Sequence, residues 1–222
     1  MTRTIDHTDE LRAAMSGTVL VTGDAGYDEA RRVFNAEFDR HPAVVAQCTS
    51  AADVAAAVRY ARAENFEIAV RAGAHSVSGQ SSVDGGLVVD LSRMREVTVD
   101  PEARRVRVQG GALLTDMNVA TQAHGLAVPG GIVGHTGVAG LTLGGGMGWL
   151  SRLAGLSIDN LLDAEVVLAD GRIVRASPDE HPDLFWALRG GGGNFGVVTE
   201  FGFRCHEVGP TIQFAMFFWG LD

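Results

Sequence analysis

The 222-residue chain is long enough for one large domain or two small ones with an ample core. Its formal net charge of −9 argues against nucleic acid or an anionic membrane surface as the main partner. Cys48 and Cys205 lie far apart without metal-type spacing, so no metal site is expected; they read as free thiols in a reducing, cytoplasmic compartment, a long-range disulfide being the alternative.

In chain order, residues 1–38 read as an entry arm with a helical piece around Asp28–Phe34; Met1–His7 lacks the apolar run of a secretion signal. Ala43–Cys48 is a predicted strand, and Thr49-Ser50 offers an N-cap to a helix over Ala51–Glu64 with Val54, Val58 and Ala61 on one face. Strands follow over Glu67–Val70 and Gly86–Leu91, then a hairpin pairs Val97–Asp100 with Arg105–Gln109. Ala112–Ala123 is a predicted helix closed by Gly125, with His124 at its C-terminal end. Ala164–Ala169 and Arg172–Arg175 form a hairpin whose Asp170-Gly171 signals a type I′ turn. A short helix over His181–Leu188 precedes a strand over Val197–Arg204. Strands, helices and hairpins alternate, which gives an α+β class.

From Gly125 to Ser151 there is no Asp, Glu, Lys or Arg, yet Pro129, His135 and ten glycines leave too little apolarity for a bilayer helix. A buried cofactor groove explains the missing charge better. Three small-residue segments point the same way: Arg71-Ala72-Gly73-Ala74-His75-Ser76, Gly144-Gly145-Gly146-Met147-Gly148 and Gly190 to Gly196. Small residues let backbone N–H groups approach an anion closely, and the set suggests a large phosphate-bearing cofactor in an extended groove. No P-loop motif is present, and no GxGxxG sits in a clean strand–helix joint. His75, in the first of these turns, is placed for chemistry on what the turn grips; the plain alternative is a histidine that caps backbone. His135 is either a base or anion stabiliser, or a hydrogen-bonded groove residue. Asp159-Asn160 reads as a groove contact, or as a simple turn or N-cap. Trp149, Trp186 and the phenylalanines read as core.

Taken together, Val70–Ser76, Asp84–Leu91, Thr136–Gly148, Asp159-Asn160 and Asp183–Gly190 through Thr199 resemble, in order and spacing, the FAD-linked oxidases of the vanillyl-alcohol oxidase superfamily. The pattern resembles in particular the berberine-bridge-enzyme-like and 6-hydroxy-D-nicotine-oxidase-like members. The resemblance implies a two-lobed PCMH-type FAD-binding domain over 39–208, with lobes about 39–108 and 109–208, and the start of a substrate domain over 209–222. It implies an FAD-dependent oxidoreductase acting on a small organic substrate and O2, with FAD joined through its 8α carbon to His75. By position, the cofactor contacts would be Arg71, Ala72, Gly73, Ala74, His75, Ser76, Gly79, Gln80, Thr136, Gly137, Gly140, Gly144, Gly145, Gly146, Gly148, Asn194, Gly196, Val197 and Val198.

Two positions depart from the pattern. Relatives carry Gly where Ala74 stands, which is tolerable if its φ is negative. Members with a second flavin bond carry Cys where Val133 stands, so one covalent link is expected. Such relatives also continue well beyond the equivalent of Asp222, and the tail Thr211–Asp222, with its Phe214–Trp219 run, reads as the first strand of a substrate domain. The alternatives of a non-catalytic flavin carrier, a dimer and a completing second chain stay open.

Overall fold

The computed structural model describes residues 8–213 and 215–220. Met1–His7, Phe214, Leu221 and Asp222, on which expectations were placed above, lie outside them. The first lobe contains α1 (Thr8–Ala14), β1 (Thr18–Leu20), α2 (Tyr27–Ala30), β2 (Val44–Gln47), α3 (Ala51–Ala63), β3 (Ile68–Arg71) and β4 (Leu87–Asp90). Its sheet runs β1-β2-β4-β3, with β2, β4 and β3 parallel and β1 antiparallel on the edge. Val44–Ala46 and Leu87–Val89 are continuous apolar runs because central parallel strands are covered on both faces. A parallel β3-to-β4 step needs a long return, and residues 72–86 supply it without a helix. That return loop carries His75.

Asp53 fastens the N-terminal segment to this lobe. The Ser50 hydroxyl accepts from the Asp53 N–H at 3.2 Å, which starts α3. The buried Asp53 carboxylate accepts from the N–H groups of Ser16, Gly17 and Thr49 at 2.8, 3.1 and 2.9 Å, and from the Thr49 hydroxyl at 2.8 Å. Gly17 is required there, since a Cβ would stand 1.9 Å from the Gln47 carbonyl oxygen.

The second lobe contains β5 (Val97–Asp100), β6 (Arg105–Gln109), α4 (Leu114–Gln122), β7 (Leu126–Ala127), α5 (Val138–Leu143), α6 (Ser151–Ala154), β8 (Leu161–Val167), β9 (Ile173–Ala176), α7 (Pro182–Leu188), β10 (Val197–Arg204) and β11 (His206–Glu207). Five antiparallel strands run β5-β6-β10-β8-β9. Phe201, Phe203, Leu114, Met117 and Leu188 fill its core. The back of this sheet also packs on the first lobe: Val167 and Val197 join the cluster around Val54 and Val58 of α3. Cys48 and Cys205 are buried free thiols in separate cores, and burial pushes the Cys205 thiol up to about 11.

Several expectations shift. The 97–109 hairpin pairs with β10, so by sheet membership the second lobe begins at Val97 rather than near 109. The helix expected over 28–34 stops at Ala30, and within 8–38 β1 joins the first sheet and α1 packs on α3. Asp170-Gly171 does not form a type I′ turn. Gly171 donates to the Leu168 carbonyl at 2.8 Å and has φ 80°, while Asp170 keeps a negative φ, so a type I turn closes on a glycine bulge in a three-residue loop. No strand forms over 211–213 or 215–220, where Ile212, Met216, Phe217, Phe218 and Trp219 are exposed.

Burial alone would push the Asp53 carboxyl up, but its hydrogen bonds outweigh that and hold it below the ordinary carboxylate range. A depressed folded value stabilises above the unfolded value of about 4 and loses that contribution as pH falls through the folded one. Asp53→Asn is therefore expected to lower stability by about 1–3 kcal/mol at pH 7 in urea unfolding, with the gap to wild type closing below about pH 4.

Candidate cofactor site

Parallel strands present their carboxyl ends to ligands, and here β3 and β4 end at Arg71 and Asp90. Asp90 is 1% exposed and pairs with the Arg71 guanidinium at 3.1 Å, so the charge at the strand ends is internally balanced. The Arg71 Nε also donates to the Arg32 carbonyl at 3.3 Å. Directly beyond, the chain turns through Gly73 and Ala74 to His75.

The turn is fixed by a backbone-to-backbone meeting with the second lobe. A Cβ on Gly73 would stand 2.2 Å from the Gly137 nitrogen, and one on Gly137 would stand 2.6 Å from the Gly73 nitrogen. Gly137 is itself held by Leu114 N–H to the Thr136 carbonyl at 2.9 Å and Val138 N–H to the Ala112 carbonyl at 2.9 Å. Gly111 makes a second such approach, its missing Cβ lying 1.7 Å from the Leu91 carbonyl oxygen. Between these contacts lies an open cleft of about 370 Å³ lined by Arg32, Phe34, Arg71–His75, Ser92, Arg95, Gly111, Leu113 and His135.

His75 and His135 come together in that cleft, His75 Nε2 to His135 Nδ1 at 2.6 Å, one from each lobe. Burial, and then the neighbouring His135, lower the His75 pKa below the ordinary histidine value, so its ring is neutral at pH 7. Phe34 stacks on the His75 ring at 4.2 Å between centroids and 18° between planes. The Arg95 guanidinium lines the same cleft and is clamped to both Asp116 oxygens at 2.9 and 2.7 Å.

The residues fit a phosphate-bearing cofactor. Among the described residues, the backbone N–H groups of Gly73, Ala74, His75, Ser76, Val77 and Ser78 donate to no protein acceptor, leaving a row of donors for an anion. Arg32 forms no salt bridge among the described residues, since Arg31 takes Asp39. An aromatic ring and two imidazoles beside that anion-ready row suit a ligand with both phosphate and ring portions.

The expected cofactor residues divide by what they do. Arg71, Ala72, Gly73, Ala74 and His75 line the cleft with His135, and Thr136 and Gly137 adjoin it. Ser76, Gly79 and Gln80 shape the turn: the Ser76 hydroxyl accepts from Gln80 at 3.1 Å, and Gly79, at φ 73°, lies under Phe38. The remaining segments are strung along α5. Gly140 is exposed on that helix, Gly144–Gly148 leave its end, with Gly145 and Gly146 at φ 115° and 78°, and the short turn holding Asn194 packs against it. Gly196 has φ 143°; Val197 and Val198 are buried core residues of β10 paired with Val167 and Val166 of β8, and the structure does not bring them to the cleft. Asn160 is structural: its amide nitrogen donates to Ala154 and Leu156 carbonyls at 2.8 Å, and its oxygen meets His206 Nε2 at 2.6 Å. Phe34, Arg32, Arg95 and Leu113 escaped the sequence reading, because nothing local marks a residue that reaches the cleft from another element.

With this geometry in hand, the comparisons with known proteins are specific. Residues 42–177 match the family described as FAD binding domain, and the chain belongs to that family. A FAD-linked oxidoreductase of Aspergillus terreus is 42% identical over 213 residues, covering 94% of this chain and 43% of that protein. The crystal structure of 6-hydroxy-D-nicotine oxidase from Arthrobacter nicotinovorans superposes with a TM-score of 0.86 at 40% identity, covering 87% of this chain and 43% of that one. Glucooligosaccharide oxidase from Acremonium strictum, described with a 6-S-cysteinyl, 8α-N1-histidyl FAD, superposes with a TM-score of 0.85 at 37% identity, over 90% of this chain and 42% of that one. The chain thus spans under half the length of these relatives.

Ala74 adopts φ 57°, outside the negative range in which a methyl there would be tolerable, with 7% of its surface exposed. A left-handed alanine is strained by about 1–2 kcal/mol, partly offset in a glycine variant by a floppier unfolded chain. Ala74→Gly is expected to raise stability by up to about 1 kcal/mol in urea unfolding. A loss of stability would mean the methyl's packing outweighs the strain.

Proposed function

We propose that this chain binds FAD in the inter-lobe cleft and carries it on His75, as the flavin-binding part of an oxidase of small organic substrates. The observation that carries this reading is the His75–His135 pair, Nε2 to Nδ1 at 2.6 Å across the two lobes, beside backbone N–H groups of residues 73–78 that donate to no protein acceptor among the described residues. When bound, FAD supplies the hydride acceptor and the route of two electrons to O2. The 73–78 N–H groups and Arg32 would hold its pyrophosphate, and the Gly144–Gly148 and Gly192–Gly196 segments would border the rest. The free cysteines and the absence, among the described residues, of a helix long and apolar enough to cross a membrane accord with work in the cytoplasm.

His75 acts as the nucleophile of attachment. In the tautomer donating from Nε2 to His135, the His75 Nδ1 lone pair is free to bond to the 8α carbon. Were that bond to form, Nε2–H would become acidic and the His135 Nδ1 would accept its proton. Attachment would take one hydrogen from His75 and one from the 8α carbon, and O2 would receive their two protons and two electrons as H2O2. His135 is then a base for attachment and a positioning residue for the linked ring. Val133, where a second linkage would need a thiol, leaves His75 as the single attachment point.

A second reading, in which turnover needs a further polypeptide surface, is favoured by the exposed run of Met216, Phe217, Phe218 and Trp219. Size-exclusion chromatography with and without FAD, alongside substrate-dependent peroxide release from alcohols and amines, separates the two. Peroxide from the lone chain rules the second out.

For the attachment itself, purified protein exposed to FAD in air is expected to keep yellow colour in an acid-precipitated pellet, and His75→Ala to lose it while still binding flavin. His135→Ala is expected to slow the growth of that acid-stable colour by about 10²-fold or more. Because protonation removes the lone pair, the wild-type rate is expected to fall as pH drops through a value below the ordinary histidine 6.5 and to be flat near pH 7. Equal acid-stable flavin in wild type and His75→Ala would overturn the assignment.

A further inference from the structure

Phe34 is out of place by ordinary packing rules. It is 66% exposed, belongs to no core cluster, and lays one ring face on a histidine. Its neighbours show why it stays there. The Phe34 N–H donates to the Ala74 carbonyl at 3.0 Å, and the Asn35 amide donates to the Val77 carbonyl at 3.1 Å. Arg40 Nη1 donates to the Gly79 and Ser82 carbonyls at 2.9 and 2.6 Å, and the Phe38 ring lies on Gly79. Arg31 closes the segment on itself, binding Asp28 at 2.8 Å, Asp39, and the Arg40 carbonyl at 3.1 Å. Residues 31–40 therefore form a strap laid along the 73–82 loop, stitched to it at both ends.

From this arrangement we infer that the strap is a positioning device for flavin attachment, with Phe34 as the clamp that sets the plane of the His75 imidazole. This rests on the His75 reading above. An imidazole turns freely about its outer torsion, which has broad wells, so one hydrogen bond at Nε2 leaves the ring able to tilt. His135 fixes the nitrogen and the Phe34 face fixes the plane; together they aim Nδ1. The geometry also places Phe34 within 5.9 Å of the His135 ring, so a single aromatic side chain borders both imidazoles. Attachment needs the nitrogen in near-attack geometry, and loosening such a group costs rate far more than it costs binding.

The test compares wild type, Phe34→Ala and Phe34→Tyr in two measurements: growth of acid-stable flavin after mixing with excess FAD, and proton NMR of the His75 ring without FAD. At FAD concentrations that saturate each protein, Phe34→Ala, which keeps the backbone bond to Ala74, is expected to attach flavin about tenfold or more slowly. Phe34→Tyr is expected to restore the rate. In the flavin-free protein, the His75 ring protons are expected to be shifted upfield by the Phe34 face in wild type and Phe34→Tyr, and to lose that shift in Phe34→Ala. A wild-type attachment rate in Phe34→Ala, or unchanged ring shifts, overturns the clamp. If wild type attaches no flavin at all, the attachment reading fails instead, and the ring shifts alone decide whether Phe34 orients His75.

Discussion

Two backbones meeting at Gly73 and Gly137, with room for a Cβ on neither, set the geometry on which the site depends. His75 lies two residues beyond one of these glycines and His135 two residues before the other. Closing the lobes at that point therefore brings one imidazole from each to 2.6 Å. Each loop alone would offer a single histidine. The pair exists only because two peptide planes are allowed to touch, and only glycine permits that approach.

Electrostatics in the cleft run against the charge of the whole chain. A net −9 protein would repel a phosphate diester at long range, yet the cleft gathers Arg32, Arg71 and Arg95. Asp90 and Asp116 neutralise two of these and lock their direction, so they serve as rigid walls. The unengaged donors are peptide N–H groups, whose partial charges lie at fixed positions and need no reordering when an anion arrives. A neutral His75 beside them retains the lone pair that a protonated ring would lack.

Much of this was legible in the residues themselves. The Ser50 cap, the alternation of the 97–109 hairpin and the β10 span Val197–Arg204 appear as read, because their signals are local. The small-residue turn at His75 was visible for the same reason. What was hidden depends on contacts across the sequence. Strand β1 is three residues long and exists only by pairing with β2, so no periodicity announces it. Phe34 reads as a core aromatic in the sequence, yet it is exposed on a strap that crosses the loop forty residues later. The Asp170-Gly171 turn went wrong because ladder register, not the dipeptide, fixed the loop at three residues. Ala74 looked acceptable in sequence because a positive φ is set by the loop's path, pinned at Phe34 and Gly137.

The central claim, that the glycine contact between lobes makes the flavin site, is tested most directly by FAD titration into Gly137→Ala followed by flavin fluorescence. Each lobe has its own core, so the variant is expected to keep its far-UV circular dichroism. Its added methyl would force the two loops apart, and FAD affinity is expected to fall at least about tenfold, or 1.4 kcal/mol. A folded Gly137→Ala protein that binds FAD as tightly as wild type would contradict the account.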